Sequence, residues 1–201
     1  MPKNRYYFLL YVGFVWSMLP ICKPFIFGQS ITSDSSKQFF WLNGGIGVSS
    51  VHGGLGSYPG ASSFGGSFCY QSDNSLHSFR YIRNEEFQLL GSDLPTETVW
   101  DCGALYGRIA KASYGFASIS CGISILGGVR RGRYLSSSGN WFFVTRYYDE
   151  NNFITIGIPV EGQLFWMPSS FFGIGLYGFA NLNNEKSFAG ALLCIQLGKL
   201  R

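Results

Sequence analysis

At 201 residues the chain is long enough for one domain with a complete core, and nothing in its length asks for two. Charged residues make up 13% and aromatics 18%, with 27 glycines, a balance that argues against a surface mostly facing water. Lys3, Arg5 and Lys23 supply three of the fifteen basic residues in the formal charge of +4; without them twelve basic face eleven acidic residues, or +1, too small an excess for a nucleic-acid partner.

The chain opens with Lys3 and Arg5, an apolar run from Tyr6 to Leu19, then Pro20 and the small residue Gly28 ahead of Gln29. That is the order of a secretory signal peptide, assigned to residues 1–28. The run is shorter than the roughly 20 apolar residues that span a bilayer as a helix. An uncleaved anchor, or a lipoprotein modified at Cys22, are the alternatives, and Pro20 and Ile21 sit poorly where the second wants small residues. After Gln29 no apolar stretch reaches helix-spanning length, so a membrane protein built from this chain must cross with strands. Residues 29–38, polar and rich in serine, form a short leader, and residues 39–201 form the folded domain.

Strand-like alternation begins at Trp41, where Leu42, Ile46 and Val48 oppose Asn43, Gly45, Gly47 and Ser49. It is clearest where Ala117, Ile119, Cys121, Ile123 and Ile125 alternate with Phe116, Ser118, Ser120, Gly122 and Ser124. Ile154, Ile156, Ile158, Val160, Leu164 and Trp166 repeat it against Thr155, Gly157, Pro159, Glu161 and Gln163. Ala189 to Leu197 repeats it once more. With weaker segments between, the strands fall at 39–50, 62–72, 76–83, 98–111, 113–128, 153–167, 171–181 and 187–198. Most match the roughly 9 to 11 residues that cross a bilayer at a tilt.

The connections alternate long and short, the longest being 129–152. Phe39, Phe40, Trp41, Phe79, Tyr81, Tyr114, Phe116, Phe165, Trp166, Phe171 and Phe172 gather near strand ends on the short-turn side, as an interfacial girdle would. Alternation alone also fits a soluble sandwich or a lipocalin-like barrel. The second face decides between them: it is mostly small and polar without the many charges a watery face needs, and suits a narrow lumen with the apolar set facing lipid. An unpaired backbone group in hydrocarbon costs several kcal/mol, so the sheet must close. The expected fold is all-β, a closed eight-stranded antiparallel up-and-down transmembrane β-barrel. Asp101 is the awkward residue, because the phase of the fourth strand points it outward.

The closing residues carry a resemblance. Phe172-Gly173-Ile174-Gly175-Leu176, the hairpin Asn181-Leu182-Asn183-Asn184, Ser187-Phe188-Ala189-Gly190 and the ending Gln196-Leu197-Gly198-Lys199-Leu200-Arg201 resemble small outer-membrane β-barrel proteins of Bacteroidetes-type bacteria, with an architecture similar to the OmpA/OmpX class. The resemblance implies an integral barrel of the bacterial outer membrane and says little about activity. Many such barrels end in an aromatic residue, whereas this chain ends Leu200-Arg201.

Little in the sequence suggests catalysis. His52 and His77 fall at opposite ends of the layout, and Ser78 beside His77 must point to the other face of its strand. No nucleophile, base and orienting group come together, so no enzyme activity and no cofactor are expected. Gly53-Gly54-Leu55-Gly56 lacks the lysine and strand-to-helix setting of a phosphate loop. Cys69, Cys102, Cys121 and Cys194 have no metal-ligand spacing, so no metal is expected either, and their pairing cannot be read from sequence. Glu161, central on a lumen face, needs a partner in a charge cluster, for which Arg80 and Arg108 are the candidates. Arg130, Arg131 and Arg133, followed by Trp141, form a basic and aromatic rim suited to lipid or partner contact, with lipopolysaccharide phosphate as the partner beside membrane lipid itself. The rival functions are a soluble periplasmic barrel or sandwich holding an apolar ligand, and a lipid-modifying barrel enzyme.

Overall fold

The computed structural model describes residues 38–52, 58–87, 96–140 and 143–200, with side chains described except at 58–59, 137–140 and 143–147. Residues 1–28, read from the sequence as a signal peptide, nearly all of the segment read as a leader, and Trp141 lie outside the described residues.

Eight strands follow one another: β1 (Gln38–His52), β2 (Tyr58–Ser72), β3 (Ser75–Glu86), β4 (Thr98–Ala112), β5 (Gly115–Asn140), β6 (Phe143–Trp166), β7 (Phe172–Leu182) and β8 (Ser187–Lys199). Each pairs with the next, and β1 pairs antiparallel with β8 from Phe40↔Lys199 to His52↔Ser187, closing the barrel. Closure leaves no strand edge along the wall, the condition that hydrocarbon imposes.

The alternation read from the sequence is realised with its greasy set outward. Ile119, Ile123, Ile156 and Ile158 are 67%, 71%, 75% and 52% exposed, while Ser120, Ser124, Gly157 and Glu161 on the same strands are buried. A soluble barrel or sandwich would place those isoleucines in its core, so that alternative is overturned. At about 3.3 Å per residue and a tilt near 40°, the outward run from Ala117 to Ile125 covers roughly 20 Å along the barrel axis, close to the apolar band of a membrane barrel.

The two ends differ. At one end β2 and β3 turn through Asp73-Asn74, with Asp73 at φ +53°, and β4 and β5 turn through two residues, Ser113-Tyr114. Left-handed backbone is what two-residue hairpins ask for, and aspartate tolerates it. The other end carries the longest connection, between β3 and β4, and one tall hairpin. There the expected 129–152 loop is instead strand: β5 and β6 stay paired up to Asn140↔Phe143, with register shifts between Arg131 and Ser136. Hydrophobic alternation marks a strand only where its two faces meet different surroundings, so a ribbon clear of the wall loses the signal while keeping its hydrogen bonds. Within the wall, pairing is recorded at Cys121↔Val160 and Ser124↔Gly157 but not between them, where Pro159 has no N–H to donate.

The lumen is solid and layered. Next to the tight turns, Phe116 stacks on Phe165 with ring centroids 5.3 Å apart and meets Trp41 at 5.5 Å, above buried Met167 and Leu200. Lys111 caps this end, its ammonium 3.5 Å from the Phe39 ring centroid and donating to the Leu200 carbonyl at 3.0 Å. Trp41, Phe116 and Phe165 therefore belong to an interior plug rather than to the expected girdle. Phe40, Phe79, Tyr81, Tyr114, Trp166 and Phe171 do face outward. Toward the other end Val51, Leu126, Phe153, Phe179 and Phe188 make a second apolar layer. Between the two lies a polar layer.

Candidate functional site

The polar layer is built from inward residues of β1 to β4 and β6 to β7. Arg80 is fully buried; its Nε and Nη2 donate to Asp101 Oδ2 at 3.1 and 2.6 Å, and its Nη1 and Nη2 to the carbonyls of Val160 and Ala180 at 3.1 Å each. Glu161 accepts from Ser78 Oγ at 2.7 Å, from Gln163 Nε2 at 3.1 Å, and from the Tyr177 hydroxyl. Asn43 Nδ2 extends the network to Ser67 at 3.1 Å and Gln163 at 3.3 Å. Every charge here meets donors or acceptors of suitable kind, the requirement for burying charge at all.

Three sequence expectations change at this point. Arg80 is in the lumen, but its ion pair is with Asp101, while the hydrogen bonds of Glu161 come from neutral groups. Asp101 points inward and is fully buried, so the phase read for the fourth strand was inverted. Arg108, on the opposite parity of the same strand, is exposed on the outer wall and belongs to no lumen cluster. The inversion has a cause: β4 carries large apolar residues on both parities, Val99, Leu105 and Ile109 inside and Trp100 and Tyr106 outside, because the lumen itself has apolar layers. His77 and Ser78 do point to opposite faces, His77 exposed and Ser78 buried. All four described cysteines are free, with Cys69 and Cys194 inside and Cys121 on the wall.

The second constellation lies at the tall-hairpin end. Its chemistry comes from four separate elements: Glu86 at the end of β3, Glu97 just before β4, Arg130 and Arg131 on β5, and Glu185 and Lys186 in the β7–β8 connection. Asn183 shapes that connection, its Oδ1 accepting from the N–H groups of Glu185 and Lys186 at 2.9 and 2.7 Å and its Nδ2 donating to the Lys186 carbonyl at 2.9 Å. So held, Lys186 reaches Glu97 Oε2 at 2.6 Å. In an eight-stranded barrel β8 and β4 stand on opposite sides, so this buried pair spans the mouth. Arg130 meets Glu185 at 2.6 Å, Arg131 meets Glu86, and the Arg131 N–H donates to Glu97 Oε1 at 3.0 Å.

Above this clasp lies a cavity of about 550 Å³ lined by Arg130, Arg131, Arg133, Lys186, Gly132, Asn151 and a single carboxylate, Glu97. Counting Glu86 and Glu185 behind the arginines, four cations meet three carboxylates. Arg133 is exposed and makes no ion pair among the described residues. Guanidinium groups converging on a concave surface suit phosphate or sulfate, whose oxygens accept paired N–H bonds. The sequence singled out the arginines by their clustering, but Glu86 at the end of β3, Glu97 in the β3–β4 connection, and Glu185 and Lys186 in the β7–β8 connection carry no spacing signal.

No protein-family model matches the chain, and no curated protein matches it in sequence. Solved structures do match its fold. Ail, the attachment invasion locus protein of Yersinia pestis, aligns at 10% identity and a TM-score of 0.54, covering 82% of this chain and 99% of that one. Neisserial surface protein A aligns at 11% identity and a TM-score of 0.58, covering 79% and 96%. Ail in complex with the heparin analogue sucrose octasulfate aligns at 12% identity and a TM-score of 0.53, covering 81% and 98%. At these identities the likeness is one of fold.

Proposed function

We propose that the chain is an exported, integral barrel of the bacterial outer membrane whose tall-hairpin end faces outward and carries a surface-interaction role, with residues 1–28 removed as a signal peptide. The observation that carries this reading is the inside-out distribution of side chains: isoleucine and leucine cover the wall while Arg80, Asp101 and Glu161 are enclosed. Water would penalise that arrangement and lipid favours it. The two-residue turns then face the periplasm together with both strand termini of the barrel. The packed lumen makes the barrel a scaffold for what its mouth presents. No enzymatic role is proposed: His52 and His77 sit at opposite ends of the barrel, and the Ser50 hydroxyl, 3.4 Å from the His52 ring nitrogens, lies on the same exposed strand end.

The mouth suits an anionic group, and lipopolysaccharide phosphate beside the rim is the ligand proposed for Arg130, Arg131 and Arg133. Ail, a barrel of similar fold, has been solved in complex with the heparin analogue sucrose octasulfate, which supports this reading. Cell fractionation and gel mobility of unheated against heated protein test the barrel: detergent-dependent extraction with heat-modifiable migration is expected, and release in buffer alone would refute it. Replacing all three arginines by glutamine should weaken lipopolysaccharide binding; unchanged binding would remove the ligand while leaving the barrel.

A further inference from the structure

The outer wall of β1 to β4 near the tight turns is graded in three successive rungs, read from the strand register. The first, Leu42↔Phe68↔Phe79↔Ala104, is apolar. The next, Phe40↔Tyr70↔His77↔Tyr106, is amphipathic, with the His77 ring 6.2 Å from Tyr70 and 5.2 Å from Tyr106. The last, Gln38↔Ser72↔Ser75↔Arg108, is wholly polar. Ser75 Oγ and the Tyr106 hydroxyl lie 3.3 Å apart, joining the last two rungs beside Arg108.

Arg108 has no ion pair among the described residues, whereas Arg83, outward on β3 toward the other end of the wall, is paired with Glu85 at 2.7 Å. Asp73, in the turn directly below, makes none either. An arginine on a lipid-facing wall costs about 2 to 4 kcal/mol at mid-membrane but almost nothing at the headgroup level, so the gradient fixes this rung as interfacial. A phosphodiester at that level would meet a planar guanidinium, which binds it in bidentate fashion, flanked by hydroxyl donors from Ser75 and Tyr106. The acyl chains would then run along the Phe68 and Phe79 rung.

We propose that Arg108, with Ser75, Tyr106 and His77, forms a binding site for the phosphate of an anionic glycerophospholipid in the leaflet nearest the tight turns. The site rests on the bilayer-spanning reading of the barrel and is independent of the arginines at the mouth.

The test uses folded protein reconstituted in phosphatidylcholine vesicles with a trace of spin-labelled phosphatidylglycerol, and reads the relative association of the labelled lipid. A clear preference over labelled phosphatidylcholine is expected, falling by roughly tenfold in Arg108→Gln, the loss of one charge-assisted contact. Unheated gel mobility checks that each variant is folded. Ser75→Ala/Tyr106→Phe, which keeps the charge, should lose an intermediate amount and serves as the measurement if Arg108→Gln does not fold. Equal association of both lipids with the native protein, or an unchanged preference in these variants, overturns the site. Displacement of the labelled lipid by millimolar glycerol phosphate would assign the site to a soluble phosphate and overturn the lipid. Failure to insert into vesicles of any composition would instead overturn the membrane reading beneath it.

Discussion

Replacing Arg80 by methionine tests the polar layer most directly. The arginine supplies both hydrogen bonds to Asp101 Oδ2, at 2.6 and 3.1 Å, and both groups are fully buried. Among the described residues Asp101 has no other hydrogen-bond donor. Arg80→Met therefore strands a carboxylate in the lumen, and breaking a buried pair in this way costs about 3 to 5 kcal/mol. Removing both charges is a different perturbation: Arg80→Met/Asp101→Leu fills the space with apolar side chains and should return to within about 1 to 2 kcal/mol of the native barrel. The assay is reversible urea unfolding of the vesicle-inserted protein followed by tryptophan fluorescence, with free energies from linear extrapolation. A single variant that loses less than about 1 kcal/mol would show that Asp101 finds another partner. A double variant at least as unstable as the single would show that the pair contributes more than mutual neutralisation, and either result refutes the reasoning.

Two further outcomes follow from the wall and the mouth. Ile123→Arg should destabilise the vesicle-inserted barrel by about 2 to 4 kcal/mol, against roughly 0.5 kcal/mol at a position facing water, and a small effect in urea titrations would mean that the side chain does not meet lipid. Lys186→Met should open the β7–β8 connection, measured as faster proteolytic cleavage within 183–186 at the intact cell surface, because Glu97 loses its cross-mouth partner. Added salt should leave native cleavage nearly unchanged, since that pair is only 2% and 6% exposed and ions screen buried pairs weakly.

What the sequence disclosed depended on how different the two faces of each strand are. In β5 and β6 isoleucine and leucine alternate with serine, glycine and glutamine, and both the strands and their facing were legible. In β4 both faces hold large apolar residues, so Asp101 and Arg108 exchanged sides. The tall hairpin escaped for a related reason, having no contrast of surroundings to imprint on its residues. The interior plug of Trp41, Phe116 and Phe165 escaped because an aromatic residue near a strand end suits a girdle and a lumen equally well. The clasp at the mouth could not be read at all, because it joins charges brought together only when the barrel closes.

The β5–β6 hairpin continues where its neighbours stop: β4 last pairs with β5 at Thr98↔Val129, and β7 last pairs with β6 at Ile158↔Leu182. From residue 130 up to the tip at 140, a span of roughly 35 Å at the usual strand rise, the ribbon has no third strand beside it among the described residues. Apart from the Arg131 N–H, which Glu97 accepts, its two margins thus keep, among the described residues, main-chain donors and acceptors that the sealed cylinder below has used up. A strand from another molecule could zip onto either margin without any matching of side chains, which makes this ribbon the part of the molecule where assembly with a neighbour demands least of its sequence.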